Sequence, residues 1–258
     1  MSSSLLNSER NLPRDPPLTA VGEAQIKELG AFFRSLPKNE QPQLVVSSPY
    51  TRCVRTAIPV VEGVECPLVI EPGLAEWFAP VWPENTGAHG TPPSGEHVAN
   101  FFPQVDTSWT PLLYPDPLGE TVEDLHHRMY ECLRRIDARC KKLGVERVLI
   151  VSHAASIIAL GRMLLGGGRY GEQKSYPVLA GTASVSKYVA ENCGANEDEL
   201  RWVQAYNGNT SFLQGGSQRE WDFSFVPENI TEHGLGLHWE DVYLPENPRL
   251  IFKARSRL

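Results

Sequence analysis

Four side chains stand where phosphoryl chemistry would use them: Ser48, Arg52, Glu76 and His153. Ser48 and Arg52 follow the apolar run QLVVS, Glu76 follows PLVIE, and His153 follows VLIV. A group at the end of a strand where a helix begins meets free N–H groups and the positive end of the helix dipole, which favour an anion. In open α/β sheets ligands bind at that same edge. Arg52 could grip two oxygens with its planar cation, and His153 would add an imidazole. Glu76 could come over the edge as a proton donor. The set makes a cradle for a phosphate, although His153 taken alone reads equally well as a helix cap. Covalent phosphoryl transfer also needs an in-line nucleophile, and none is evident among these residues.

The positions of these four depend on the elements around them. Val148 to Val151 is apolar without alternation, the pattern of a strand buried on both faces of a mostly parallel sheet. Helical spacing starts at Ala154, with Ile157, Ile158, Leu160, Leu164 and Leu165 on it, and Gly166 to Gly168 stop it. Ser48-Pro49 predicts an N-cap and first helical position for a helix over 49–61. Thr19 caps a helix whose stripe is Ile26, Leu29, Phe32, Phe33 and Leu36, ended by Pro37. Thr121 with Asp124 is a capping box opening a long helix to Leu143, closed by Gly144. Residues 183–190 and 201–206 read as two further strands, and Asn207-Gly208-Asn209 as a turn. The stretch 73–119 is too long for an ordinary connection and is expected to be a lid or binding loop. His89 and His97 within it read as surface histidines. The expected organisation is one domain over residues 1–226, with that lid insertion, and an irregular tail over 227–258.

Composition narrows the function classes. Lys plus Arg number 24 against 31 Asp plus Glu, a net charge of −7, and the basic residues are dispersed. No nucleic-acid footprint is visible. The 5 cysteines form no CxxC pair and read as reduced, intracellular thiols, with Cys132 and Cys140 on the core face of a helix. No metal site is expected: His126 and His127 are adjacent on a helix and point apart. The most apolar window, Val148 to Leu165, contains His153 and Arg162 and changes period midway, so no membrane span is expected. The amino terminus has no secretion-signal pattern.

Taken in order, DPPLT at Asp15–Thr19, SSPYTRCVRTA at Ser47–Ala57, the pair Glu76-Trp77 and VSHAASIIALG at Val151–Gly161 resemble the histidine phosphatase superfamily. The resemblance implies a phosphoglycerate-mutase-like α/β fold, a three-layer sandwich whose mostly parallel sheet has helices on both faces. It implies that Arg52, Ser48 and His153 bind phosphate, that His153 and Glu76 serve catalysis, and that no cofactor is used. The family's nucleophile is the histidine of an Arg-His-Gly motif following a first central strand. The stretch MSSSLLNSERNLPR before Asp15 has neither, so the chain is expected to be inactive as numbered and to leave Val148 to Val151 as an open strand edge.

A narrower likeness rests on GLAEWF at Gly73–Phe78, FFPQVDTSW at Phe101–Trp109, GETVEDLHHR at Gly119–Arg128, NGNTSFLQGG at Asn207–Gly216 and EWDF at Glu220–Phe223. These segments resemble the histidine-phosphatase-domain subunit of fungal transcription factor IIIC. That resemblance implies a pseudoenzyme serving RNA polymerase III transcription, located in the nucleus, with a cytoplasmic address as the alternative. Its partners would be other protein subunits, with a phosphate or phosphomonoester as a possible ligand and no direct contact with nucleic acid or membrane. The competing reading is a phosphomonoesterase or mutase with a truncated N-terminus.

Overall fold

The computed structural model describes residues 14–80, 89–170, 176–192 and 200–226. Helix α1 (Ala20–Ser35) is capped by Thr19, whose side chain accepts from Gly22 N. Strand β1 (Leu44–Ser47) leads to α2 (Thr51–Val64), and β2 (Leu68–Ile70) runs into a 3₁₀ turn at Pro72–Leu74. After a short helix α3 (Gly95–Ala99) come α4 (Val122–Leu143), β3 (Val148–Val151) and α5 (Ala154–Leu165). An antiparallel pair, β4 (Val185–Asn192) and β5 (Leu200–Asn209), follows.

The main sheet has the order β2-β1-β3 with both pairings parallel. Alternate residues of each strand feed two cores. Val46, Val69 and Ile150 pack with α4 and α5 through Leu125, Met129, Ile136, Ala159 and Leu160. Val45, Leu68, Ile70 and Leu149 face the other way, onto Leu29 and Phe33 of α1 and Val54, Ala57 and Val61 of α2. The three-layer sandwich expected from the sequence is thus present. Helices α1 and α2 come unusually close: a Cβ on Gly30 would lie 2.7 Å from Pro59 Cβ and 2.8 Å from its carbonyl oxygen.

Several expectations need correction. All four residues of β3 are only partly buried. The strand pairs with β1 on one side and ends the sheet among the described residues, at the open edge expected for it, so its two packed faces stay partly accessible. Helix α2 begins at Thr51 with Tyr50 at the N-cap, two residues later than the Ser48-Pro49 signal indicated. Asn207-Gly208-Asn209 is not a free turn; β5 runs through it, with Gly208 at φ +61° and the Asn207 side chain bonding Leu179 N and Pro177 O. The proposed tail 227–258 and the stretch before Arg14 lie outside the described residues.

The 73–119 excursion is tied to the core by one carboxylate. Glu71 is fully buried. It accepts from Gly73 N at 3.0 Å, Trp109 Nε1 at 3.0 Å, Leu112 N at 2.9 Å and Leu113 N at 3.2 Å. Val105 extends the sheet by an isolated parallel bridge to Leu68. Glu71→Ala would strand these donors, each buried one costing about 1–3 kcal/mol. Urea denaturation should therefore show a loss of about 3 kcal/mol or more at unchanged slope. A loss below about 0.5 kcal/mol would mean that water satisfies the donors and the carboxylate is not a structural anchor.

Candidate functional site

Parallel pairing brings the β1 and β3 ends level, and Ser48 N donates to Val151 O at 2.8 Å. Ser48 and His153 are thereby set side by side, 105 residues apart in sequence, with Ser48 Oγ 2.7 Å from His153 Nε2. Arg52, one residue into α2, sends Nη2 to within 2.9 Å of His153 Nδ1 and 3.1 Å of Glu76 Oε2. Glu76 Oε2 is itself 3.3 Å from His153 Nδ1. All four side chains singled out in the sequence therefore meet at one sheet edge. They meet as a cluster bonded to itself.

Glu76 is held from several directions. Its other oxygen accepts from Trp77 N at 3.0 Å. The preceding turn is clamped by Arg128, which donates to the carbonyls of Gly73 and Ala75 at 2.7 and 3.1 Å. Arg128 also forms a buried fork with Glu120, at 2.6 and 2.7 Å. Ser152 and Ser156 donate to the carbonyls of Leu74 and Ala75, and Trp77 Nε1 donates to Glu120 O at 2.7 Å. Such doubled, charge-assisted bonds fix position as well as adding energy.

Electrostatics follow from this packing. Burial alone would push the Glu76 carboxyl up, but His153 and Arg52 outweigh it and hold it at about 2. The proton donor expected from the sequence is therefore a carboxylate while the cluster stays closed. Burial opposes charge on His153 as well, yet the neighbouring Cys53 sulfur and the Glu76 carboxylate raise its affinity for a proton. Burial lifts the Tyr50 phenol to about 12; its ring meets that of His153 edge-on at 5.3 Å.

Asp15 and Cys53 also matter, and neither was given a role from the sequence. Asp15 is buried and accepts from Thr51 N at 2.6 Å and Thr51 Oγ1 at 2.7 Å. The N-terminus of α2 is thus occupied by an internal carboxylate, and one half of the expected anion cradle is already filled. Helix α5 differs: its N-cap is His153, with no side-chain bond to its first amides. Cys53 Sγ lies 3.6 Å from His153 Nε2. The 2.7 Å bond to His153 makes Ser48 a support for the ring as the site stands. His89 is no plain surface histidine: it stacks on Phe78 at 4.9 Å, contacts Arg14, and with Tyr50, Glu76 and Glu120 lines a cavity of about 10 Å³. That is room for roughly one water. His97 is exposed as expected. Asp15 could have been found from the DPPLT motif and Arg128 from GETVEDLHHR, since both belong to segments already carrying the resemblance. Among the described residues no group of three His, Cys, Asp or Glu side chains is arranged to hold a metal, and no helix is long and apolar enough to cross a membrane.

A depressed carboxyl contributes stability above its unfolded value, and that contribution is lost as pH falls toward the folded one. For Glu76 the window runs from the model-compound value 4.5 down to about 2. Wild type should lose thermal stability across this window more steeply than Glu76→Gln. Parallel melting curves for the two proteins would contradict the pairing.

Comparison with known proteins places this geometry in a family. The sequence pattern of the histidine phosphatase superfamily (branch 1) matches residues 7–202. The transcription factor tau 55 kDa subunit of Saccharomyces cerevisiae is 32% identical over 235 residues, covering 83% of this chain and 53% of that protein. The chain thus spans about half the length of that relative. Among solved structures, the ecdysone phosphate phosphatase of Bombyx mori, in complex with tungstate, superposes with TM-score 0.52 at 20% identity, covering 83% of this chain and 80% of that one. The mycobacterial glucosyl-3-phosphoglycerate phosphatase with inorganic phosphate gives TM-score 0.52 at 19% identity, covering 77% and 90%. At these identities the structures testify to the fold. On the family match over most of its length, this chain belongs to the histidine phosphatase superfamily.

Proposed function

We propose that this protein is a non-catalytic subunit of a transcription factor IIIC-type assembly, built on a histidine phosphatase domain that retains an oxyanion site. The observation that carries the reading is the 32% identity to the tau 55 kDa subunit, spread over 235 residues. In this reading the protein works in the nucleus, and its partners are other subunits of the RNA polymerase III machinery. Its acidic balance, −7 overall, suits a subunit that meets protein and leaves the nucleic acid to others.

The site favours binding over turnover. Among the described residues no second histidine lies within hydrogen-bond reach of Arg52, Glu76 or His153, and Ser48 Oγ is spent on the His153 ring. Glu76 is held as a carboxylate by Arg52 and His153, so it has no proton to give a leaving group. Arg52 and the uncapped start of α5 are the groups left to meet a phosphate or phosphomonoester. A phosphomonoesterase, its nucleophile supplied by a segment upstream of Arg14, is the second reading; the fold shared with the two phosphatases favours it.

Two experiments separate these readings. The 258-residue chain should hydrolyse p-nitrophenyl phosphate no faster than its His153→Ala variant, because a missing covalent nucleophile costs several orders of magnitude in rate. Turnover that depends on His153 would establish the enzyme. Affinity purification of the tagged protein from its own cells should recover transcription factor IIIC subunits; their absence under conditions that preserve the complex would overturn the subunit assignment.

A further inference from the structure

We infer that the open outer edge of β3 is a slot for one extended segment supplied by another protein subunit, with apolar side chains on both faces of that segment. The inference rests on the subunit reading above and adds which surface meets the partner and what chemistry the partner brings. The β3 backbone sets up the edge. Arg147 O and Val151 O accept from Gln43 N at 2.9 Å and Ser48 N at 2.8 Å, the residues flanking β1. Arg147, Leu149 and Val151 thus turn their N–H and C=O groups toward β1. Successive residues of a strand turn these groups to opposite sides, so those of Val148 and Ile150 point away from β1. No strand among the described residues takes them up. Such a row of donors and acceptors is a template for a further strand.

The surroundings of that edge define what fits it. The opposite end of the sheet is extended by the Val105 bridge to Leu68, whereas the β4–β5 pair, with the segment after it, is fastened to both helical layers. On one face Phe32 of α1 stacks on Phe212 at 4.4 Å, Glu28 accepts from Gln214 N at 3.2 Å, and Val185 and Tyr206 join the core of α1 and α2. On the other face Tyr188 and Trp202 join the core of α4 and α5, and the Tyr188 hydroxyl stands where a Cβ on Gly161 would. A pair held by both layers lies in the plane of the sheet, beyond β3, yet it shares no ladder with β3. Apolar side chains line both faces at this end, Val148 and Ile150 on one and Leu149 and Val151 on the other. The matching segment is therefore apolar on both faces over the 4 residues of β3 and free of proline.

Two other occupants fit less well. The stretch before Arg14, MSSSLLNSERNLP, has Leu5-Leu6 as its one adjoining apolar pair, too little to cover both faces. A second copy would have to bring its whole sheet edge, and its own β4–β5 pair flanks that edge. A strand from a different subunit has neither handicap: main-chain bonds hold it, and its alternate side chains give selectivity.

Hydrogen exchange resolved to single amides tests this on the tagged chain, alone and in the assembly purified with it. Alone, Val148 and Ile150 should exchange at least about a hundredfold faster than Leu149 and Val151, which face β1. In the assembly the two outward amides should slow to within about tenfold of these neighbours. Val148→Pro removes one outward donor and spares the β1 ladder, so in the assembly it should leave Ile150 fast. Should that variant fail to fold, the capped peptide Lys-Lys-Val-Ile-Val-Val-Lys-Lys is added to the wild-type chain in its place. Saturating peptide should protect Val148 and Ile150, and the same peptide with proline for isoleucine should not. Protection of both amides in the chain alone at every concentration would mean that its own segment fills the slot, and protection that grows with concentration would mean a second copy. Fast exchange that persists in the assembly would mean that the edge is not a docking surface. Each of these three results would overturn the donated strand and leave the subunit reading standing. Failure to recover any transcription factor IIIC subunit would overturn the subunit reading, and the donated strand with it.

Discussion

A guanidinium and a carboxylate drawn together beside a buried imidazole must satisfy one another, and that requirement organises this molecule. Arg52, Glu76 and His153 come from three separate strand ends. Their contacts are possible only if β1, β2 and β3 stop at the same level, which the in-register parallel pairing of the three strands provides. Removing one member would leave the others partly desolvated and unpaired, a far larger penalty than the net worth of the pair. The cluster therefore reads as a site and as a structural knot at once.

Around it lies a second level of buried charge. Glu71 gathers four donors of the excursion, and Arg128 with Glu120 pins the turn that carries Glu76. Both carboxylates are buried among polar partners. A long insertion with little regular structure can hold a catalytic-type side chain in place only through such bonds, because it lacks a ladder of its own. Phe223 extends the network: its ring meets Trp77 at 6.0 Å and Trp221 at 5.0 Å, so the EWDF segment packs behind the residue next to Glu76.

Much of this was legible in the sequence, for identifiable reasons. Helix starts with a local side-chain code, Thr19 and the Thr121/Asp124 box, fall where expected because capping depends on residues three apart. Strand-to-helix junctions announced Ser48, Arg52 and His153, and the motif order announced Glu76. What could not be read were the long-range choices. Helix α2 starts late because Asp15, 36 residues away, claims Thr51 N. Ser48 serves His153 because a strand neighbour 105 residues distant puts the ring there. The open edge of β3 was expected only through the resemblance, because a four-residue apolar run does not itself encode what pairs with it. His89 was misjudged because a loop histidine gives no sign that Phe78 will stack on it.

The central claim is that Arg52, Glu76 and His153 form one energetically coupled unit. A double-mutant cycle in urea denaturation, using Arg52→Met, Glu76→Gln and the double variant, measures this directly. Coupling of at least about 1 kcal/mol is expected for groups sharing one hydrogen-bond network, with the double variant less destabilised than the sum of the singles. Single effects that add to within about 0.3 kcal/mol would contradict it and would reduce the cluster to three neighbours that merely share an edge.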